Sequence, residues 1–287
     1  MSGKKVLVTG SGGLLGSHLI NEIPNSIGYS SQELDITKMQ CVNRIVEIEK
    51  PDIIIHAAAF TDVEACETEN DKAFEVNTIG TQNLVNCCID RDVLFVFISS
   101  TGVYGSHKTE RYTEFDKAEP STIHHISKYE AEKVVRNHLN KYLILRTGWI
   151  FGGNALHKED FVYQRYIEAK NNDLIHSDDS QIGNPTYALD LVDQIKILIN
   201  NDQFGTYNCV NYANNITRYD YVKKIVELFN LDCKVEVAPK GMFVRKAPVS
   251  NNESALNFKL GLLDLDQMRG WNDALEDYIN KVKYNFD

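Results

Sequence analysis

Short apolar runs alternate with longer amphipathic ones through the first half of the chain. KKVLVTG (4–10) predicts a buried strand and LLGSHLINEI (14–23) the helix after it; NSIGYS (25–30) is a second short strand. LDITKMQCVNRIVEIEK (34–50) carries apolar residues at helical spacing, with Asp35 or Thr37 as its cap. Three consecutive isoleucines in PDIIIHAAA (51–59) predict a strand buried on both faces. DKAFEVNTIGTQNLVNCCIDR (71–91) predicts one long helix and VLFVFISS (93–100) another buried strand. SKYEAEKVVRNHL (127–139) then reads as a helix and YLILRTG (142–148) as a strand.

Such alternation predicts an α/β fold, a doubly wound parallel sheet of Rossmann type with crossover helices on both faces. Ligands on such a sheet sit beyond the carboxyl ends of its strands. Past residue 150 the pattern loosens, although ALDLVDQIKILI (188–199) reads as a further helix of the first domain, and the remainder carries a helix near 217–230. No repeat or linker separates the parts. The division expected is a dinucleotide-binding domain of residues 1–148 and 184–202, with a smaller, mainly C-terminal substrate domain of 149–183 and 203–287.

Composition narrows the partners. A net charge of −10 over 287 residues argues against a nucleic-acid groove or an anionic membrane surface, both of which need clustered Lys and Arg. No apolar run has the length of a signal peptide or a membrane span. Cys41, Cys66, Cys87, Cys88, Cys209 and Cys233 lack metal-ligand spacing, so free thiols in a reducing cytoplasm and no metal site are expected.

The first candidate chemistry is VLVTGSGGLLGSHL, with Gly10, Gly13 and Gly16 between strand and helix. A tight turn, close backbone approach to a pyrophosphate, and the amides of Leu14, Leu15 and Gly16 at a helix N-terminus together make a dinucleotide site. At the end of the second strand, Ser30 and Ser31 offer neither a carboxylate for a ribose 2′-hydroxyl nor a cation for a 2′-phosphate. Serines tolerate either NADP or NAD, and NADP is favoured. Asp35, with Ile36 beside it, lies near the adenine or serves as the helix cap.

These residues bring a family into view. The chain resembles the extended short-chain dehydrogenase/reductases, and within them the dTDP-4-dehydrorhamnose reductase family, through ordered matches along nearly its whole length. They are VLVTGSGGLLGSHL, LDIT (34–37), PDIIIHAAAFTDVEACE (51–67), AFEVNTIGTQNLV (73–85), FISSTGVYG (97–105), SKYEAE (127–132), LRTGWIFG (145–152) and GNPTYALDL (183–191). The resemblance implies NAD(P)H-dependent reduction of a 4-keto-6-deoxy sugar nucleotide in polysaccharide or antigen biosynthesis, possible in a homodimer. It places Ala57, Ala58, Ala59 and Ser99 against the cofactor. Thr101, Gly102, Trp149 and the 154–186 region go to the substrate.

It also exposes a departure. The family reaction needs a Ser or Thr, a Tyr and a Lys one helical turn beyond that Tyr; here Ser100 and Lys128 stand in place, but the Tyr position is His124. His125 stands where a small residue is usual, and Thr101-Gly102 replaces an Asp-Tyr pair. In one reading His124 donates the proton, against the charge of Lys128 beside it, which depresses its pKa. In a second, another group or a water chain delivers the proton, with His125, Tyr104 and Tyr129 nearby. In a third, catalysis is lost and the fold is a dinucleotide-binding regulatory or scaffold subunit, as in the regulatory beta subunit of methionine adenosyltransferase, which resembles the same family. Nucleotide-sugar epimerisation is a further alternative.

Overall fold

In the central sheet β1 (Val6–Thr9) lies between β2 (Ser26–Tyr29) and β3 (Ile53–His56). On the β3 side follow β4 (Leu94–Ser100) and β5 (Tyr142–Thr147), all in parallel register. The computed structural model describes every residue except Ser2, Ala155, Tyr284, Asn285 and Asp287. Ala155, within the stretch expected to line the substrate site, therefore lies outside the described residues. The three isoleucines of β3 are fully buried, as burial on both faces requires.

Helices cover both faces. α1 (Leu14–Glu22) packs against one face, and α2 (Met39–Glu49) against the other. Next come the short α3 (Val63–Cys66), α4 (Asn70–Phe74) and α5 (Gly80–Asn86), then the long α6 (Ile123–His138). Val42, Val46, Leu84, Val85, Ala131 and Val135 from α2, α5 and α6 form one core with Leu7, Ile54 and Phe97 of the sheet. Each fully buried aliphatic side chain there contributes about 1.5–3 kcal/mol.

The remaining chain builds a second layer of small pieces. They are β6 (Trp149–Phe151), α7 (Phe161–Lys170), β7 (Leu174–Ser177), β8 (Ile182–Gly183), β9 (Pro185–Tyr187) and α8 (Ala188–Asn200). After these come β10 (Gly205–Asn208), β11 (Ile216–Thr217), α9 (Arg218–Leu228), β12 (Lys234–Val237), α10 (Phe258–Leu262) and α11 (Trp271–Val282). Helix α8 joins α1 on the first face of the main sheet. An aromatic cluster of Phe151, Tyr166, Tyr187, Tyr221 and Tyr278 forms a separate core.

Several local expectations are corrected. Gly205–Asn208, placed with the smaller domain by its sequence, is β10, the edge strand that pairs with β5 in the main sheet. Neither Asp35 nor Thr37 caps α2: Lys38 is the N-cap residue, and Asp35 Oδ1 accepts from the Thr37 amide and hydroxyl in a turn that precedes the helix. The helix expected over 71–91 is interrupted by a π turn at Glu75–Ile79. Finally, α6 begins at Ile123 rather than Ser127, because the Thr122 hydroxyl accepts the His125 amide and caps it.

In chain order β2 and β3 flank β1 on opposite sides, so the connections diverge there. A crevice opens at such a switch point, beyond the carboxyl ends of the strands. Thr9-Gly10 and His56-Ala57 are the residues at its floor.

Candidate active site

The glycine loop is built for close approach. Gly10 has φ +73°, and a Cβ on it would lie 2.6 Å from the Ala58 nitrogen. A Cβ on Gly16 would overlap the Gly10 carbonyl, so the turn and the start of α1 interlock. Gly13 is the N-cap residue of α1 and its amide donates to Gly10 O at 3.0 Å. The amides of Leu14, Leu15 and Gly16 find no acceptor among the described residues. Free amides at the end of a helix beside a Cβ-free cradle suit an anionic pyrophosphate.

The end of β2 differs from its sequence reading. Ser30 donates its amide and hydroxyl to Glu33 Oε2 at 2.8 and 2.7 Å. These bonds, the hydroxyl's first, hold the Glu33 carboxyl below its ordinary pKa. A carboxylate thus stands at the strand end after all, returned by a turn. Ser31 and Asp35 are exposed nearby, whereas Ile36 is buried in the core.

The candidate catalytic groups come together from β4, α6 and the π turn. Ser100, the last residue of β4, accepts the Gly102 amide on Oγ at 3.1 Å. Its strand neighbour Ser99 points to the opposite face and donates to Glu132 Oε1 at 2.7 Å inside the core. Glu132 also accepts Arg146 Nε and Nη2 at 2.9 and 2.7 Å, which locks α6 to β5.

Lys128 sits in the second turn of α6, buried, with Nζ 4.1 Å from the Phe97 ring centroid. Its ammonium makes no hydrogen bond among the described residues. Burial pulls its pKa down to about 7, and the Glu132 charge only partly opposes this. One turn earlier, His124 Nδ1 lies 3.0 Å from the Phe60 carbonyl. Burial first, then the charges of His125 and Lys128, lowers its pKa to about 3. Such a shift favours the neutral imidazole near neutrality and disfavours the imidazolium that one reading of His124 requires.

Three residues at this centre escaped the sequence reading. Asn77, in the π turn, donates to Phe60 O at 3.1 Å and Ser127 Oγ at 2.9 Å, and accepts the Phe60 amide at 2.8 Å. His56 lies between Thr9 Oγ1 at 2.7 Å and Thr81 Oγ1 at 3.0 Å, and Thr81 donates to Asn77 O at 2.6 Å. No local signal marks Asn77, which is one polar residue among Glu75, Thr78, Thr81 and Gln82. Two tyrosines are removed from contention: Tyr104 is fully buried with its hydroxyl on Asn208, and Tyr129 lies against Lys133 and Arg136.

A second cleft, of about 570 Å³, is lined by Asp62, Gln181, Arg218, Phe243 and Arg245 among others. Arg218 lays its guanidinium 3.5 Å from the Trp149 ring centroid, and Trp149 Nε1 donates to Glu253 at 2.9 Å. Gln181 Oε1 is buried without a donor among the described residues. Neither Arg218 nor Glu253 adjoins Trp149 in sequence, so no local pattern marks them.

A dTDP-4-dehydrorhamnose reductase of Aggregatibacter actinomycetemcomitans is 35% identical over 65% of this chain and 64% of its own. The spore coat polysaccharide biosynthesis protein SpsK of Bacillus subtilis is 28% identical over 96% of this chain and 97% of its own. The dTDP-4-dehydrorhamnose reductase of Bacillus anthracis, solved in complex with NADP, superposes with TM-score 0.92 at 31% identity, covering 97% of this chain and 99% of that one. A UDP-glucose 4-epimerase of Thermus thermophilus shares the fold at 19% identity and TM-score 0.79. Residues 4–284 match the RmlD substrate binding domain, and the chain belongs to that family.

Proposed function

We propose that the protein is a nucleotide-sugar ketoreductase that reduces a 4-keto-6-deoxy sugar nucleotide in polysaccharide or antigen biosynthesis, with NADP favoured as its dinucleotide. The observation that carries this reading is Lys128, a buried amine with no acceptor among the described residues, whose Nζ lies 4.1 Å from the Phe97 ring centroid. A buried cation without an acceptor is costly unless a ligand completes it. Gly10, Gly13 and Gly16, with the Leu14 and Leu15 amides, would hold the pyrophosphate. Ser30, Ser31, Asp35 and Ile36 would border the adenosine. Ala57, Ala58, Ala59 and the Ser99 backbone would flank the cofactor, and Lys128 would hold the nicotinamide ribose.

When bound, the dinucleotide supplies a hydride to the ketone carbon. The chain's own residues handle the oxygen. Ser100 Oγ already accepts from Gly102, so its hydroxyl proton is free to point at the developing alkoxide. Lys128, with a pKa of about 7, carries a transferable proton at neutral pH and is the acid of this reading. His124 stays neutral and shapes the site from the Phe60 carbonyl. Thr101, Gly102 and Trp149 would border the sugar, and Arg218 and Arg245, which line the second cleft, would hold its diphosphate.

No helix among the described residues is long and apolar enough to cross a membrane. The six cysteines are free thiols, which suits the reducing cytoplasm where we place the protein. Assembly as a homodimer completes the proposal, and sedimentation tests it. The function itself is tested by NADPH and NADH oxidation with a panel of 4-keto sugar nucleotides. Turnover that disappears in Lys128→Met and falls in Ser100→Ala is expected. If wild type binds the dinucleotide but oxidises it with no ketone, the reductase reading fails and a regulatory subunit takes its place.

A further inference from the structure

Two adjacent imidazoles, His124 and His125, open α6 beside the Ser100 turn, and their partners settle which nitrogen of each carries the proton. A backbone carbonyl only accepts, so His124 Nδ1, 3.0 Å from Phe60 O, must be the protonated nitrogen. Its Nε2 is then a bare acceptor. His125 Nδ1 lies 3.0 Å from Thr122 Oγ1, and that same oxygen accepts the His125 amide at 3.2 Å. Thr122 is fully buried, and its hydroxyl proton has no other acceptor among the described residues. A protonated Nδ1 would leave that proton stranded at a cost of about 1–3 kcal/mol. His125 therefore accepts on Nδ1 and carries its proton on Nε2.

The Cε1–Nε2 edge of His125 lies against Gly102, two residues past Ser100. A Cβ on Gly102 would overlap the ring at Cε1 and Nε2, and the Gly102 amide is itself bonded to Ser100 Oγ. His125 Nε2 has no hydrogen-bond partner among the described residues. The two rings meet edge to face, with centroids 5.0 Å apart, so His125 cannot turn toward His124 without losing Thr122. Both rings are neutral near pH 7, and Lys128 is the charge that lies near both.

We infer that His125 is a further substrate-orienting residue of this site: its neutral Nε2–H, admitted by Gly102 and held by Thr122, donates a hydrogen bond to the sugar's keto oxygen beside Ser100. The inference rests on the ketoreductase reading for its ligand. A neutral imidazole polarises a carbonyl without surrendering its proton, so Lys128 remains the acid. His124, in the opposite tautomer, donates to Phe60 O and can only accept at Nε2.

The test is long-range proton–nitrogen NMR on protein labelled with nitrogen-15 histidine, assigned with His124→Gln and His125→Gln. His125 is expected as the Nε2–H tautomer and His124 as Nδ1–H at pH 7. Adding NADP⁺ and dTDP-4-keto-6-deoxyglucose, a pair that cannot react by reduction, should move the His125 Hε2 resonance downfield. His125→Leu should lower kcat roughly 100-fold with KM little changed, and His125→Gln, which retains a donor, should recover part of it. A protonated Nδ1 on His125, an unmoved Hε2 signal, or an unaltered kcat in His125→Leu each overturns the inference. If the resonance moves while NADPH oxidation is absent with every ketone, the ketoreductase reading fails and the hydrogen bond stands.

Discussion

Lowering the pH from 7 to 5 should destabilise the fold through His124 and His125, and by an amount their burial sets. Their folded pKa values are about 3 and about 4, below the ordinary 6.5. A depressed folded pKa means that the unfolded chain binds the proton first. Stability is then fully present above pH 6.5 and is lost as pH falls toward the folded values. At pH 5 each unfolded imidazole has gained about 2 kcal/mol from protonation, against about 0.2 kcal/mol at pH 7. The pair should therefore cost roughly 3–4 kcal/mol over those two units, a large share of a typical 5–15 kcal/mol total. Urea unfolding at pH 7 and pH 5 measures it, with His124→Gln/His125→Gln as the reference. Only the pH dependence is compared, so carboxylates and His56, present in both proteins, cancel. If wild type and the double variant lose the same stability between the two pH values, the two imidazoles are not held neutral and the reasoning is wrong.

Three other outcomes follow from single contacts. Glu132→Ala leaves Arg146 buried without its carboxylate and should cost about 3–5 kcal/mol, read as a lower urea midpoint with an unchanged slope. Arg218→Ala should raise KM for the sugar nucleotide roughly 10- to 100-fold and leave kcat within a few-fold, because a charged hydrogen bond to phosphate is worth about 1.5–3 kcal/mol; a kcat defect at unchanged KM would refute it. Glu33→Gln removes the carboxylate that Ser30 now holds and should shift the NADPH-to-NADH ratio of dissociation constants roughly threefold to tenfold toward NADPH, by fluorescence titration.

What was legible in the chain is what contiguous residues encode. The three isoleucines of β3 announce burial on both faces, and Gly10, Gly13 and Gly16 announce a turn whose spacing is set by its own backbone. Chemistry assembled by a return of the chain was not legible. Glu33 reaches Ser30 only because the chain turns after β2, and no strand-end pattern marks a carboxylate three residues on. The π turn at Glu75–Ile79 keeps the apolar run of a plain helix while rotating Asn77 and Thr78 onto Ser127. Arg218 and Glu253 meet Trp149 across long stretches of chain, so each reads locally as an ordinary charge.

The departures at 101–102 and 124–125 lie in separate stretches of the sequence, and in space they are coupled. Gly102 vacates the volume that the His125 ring fills, and a side chain there would evict it. Thr122 both starts α6 four residues before the expected point and holds His125 Nδ1. That earlier start carries His124 onto the Phe60 carbonyl, which Asn77 fixes in turn. A phenol at position 124 would enter a site whose neighbours are already committed to imidazoles. The absence of the tyrosine is therefore not one lost group but one part of a rearranged set that couples Gly102, Thr122, His124 and His125.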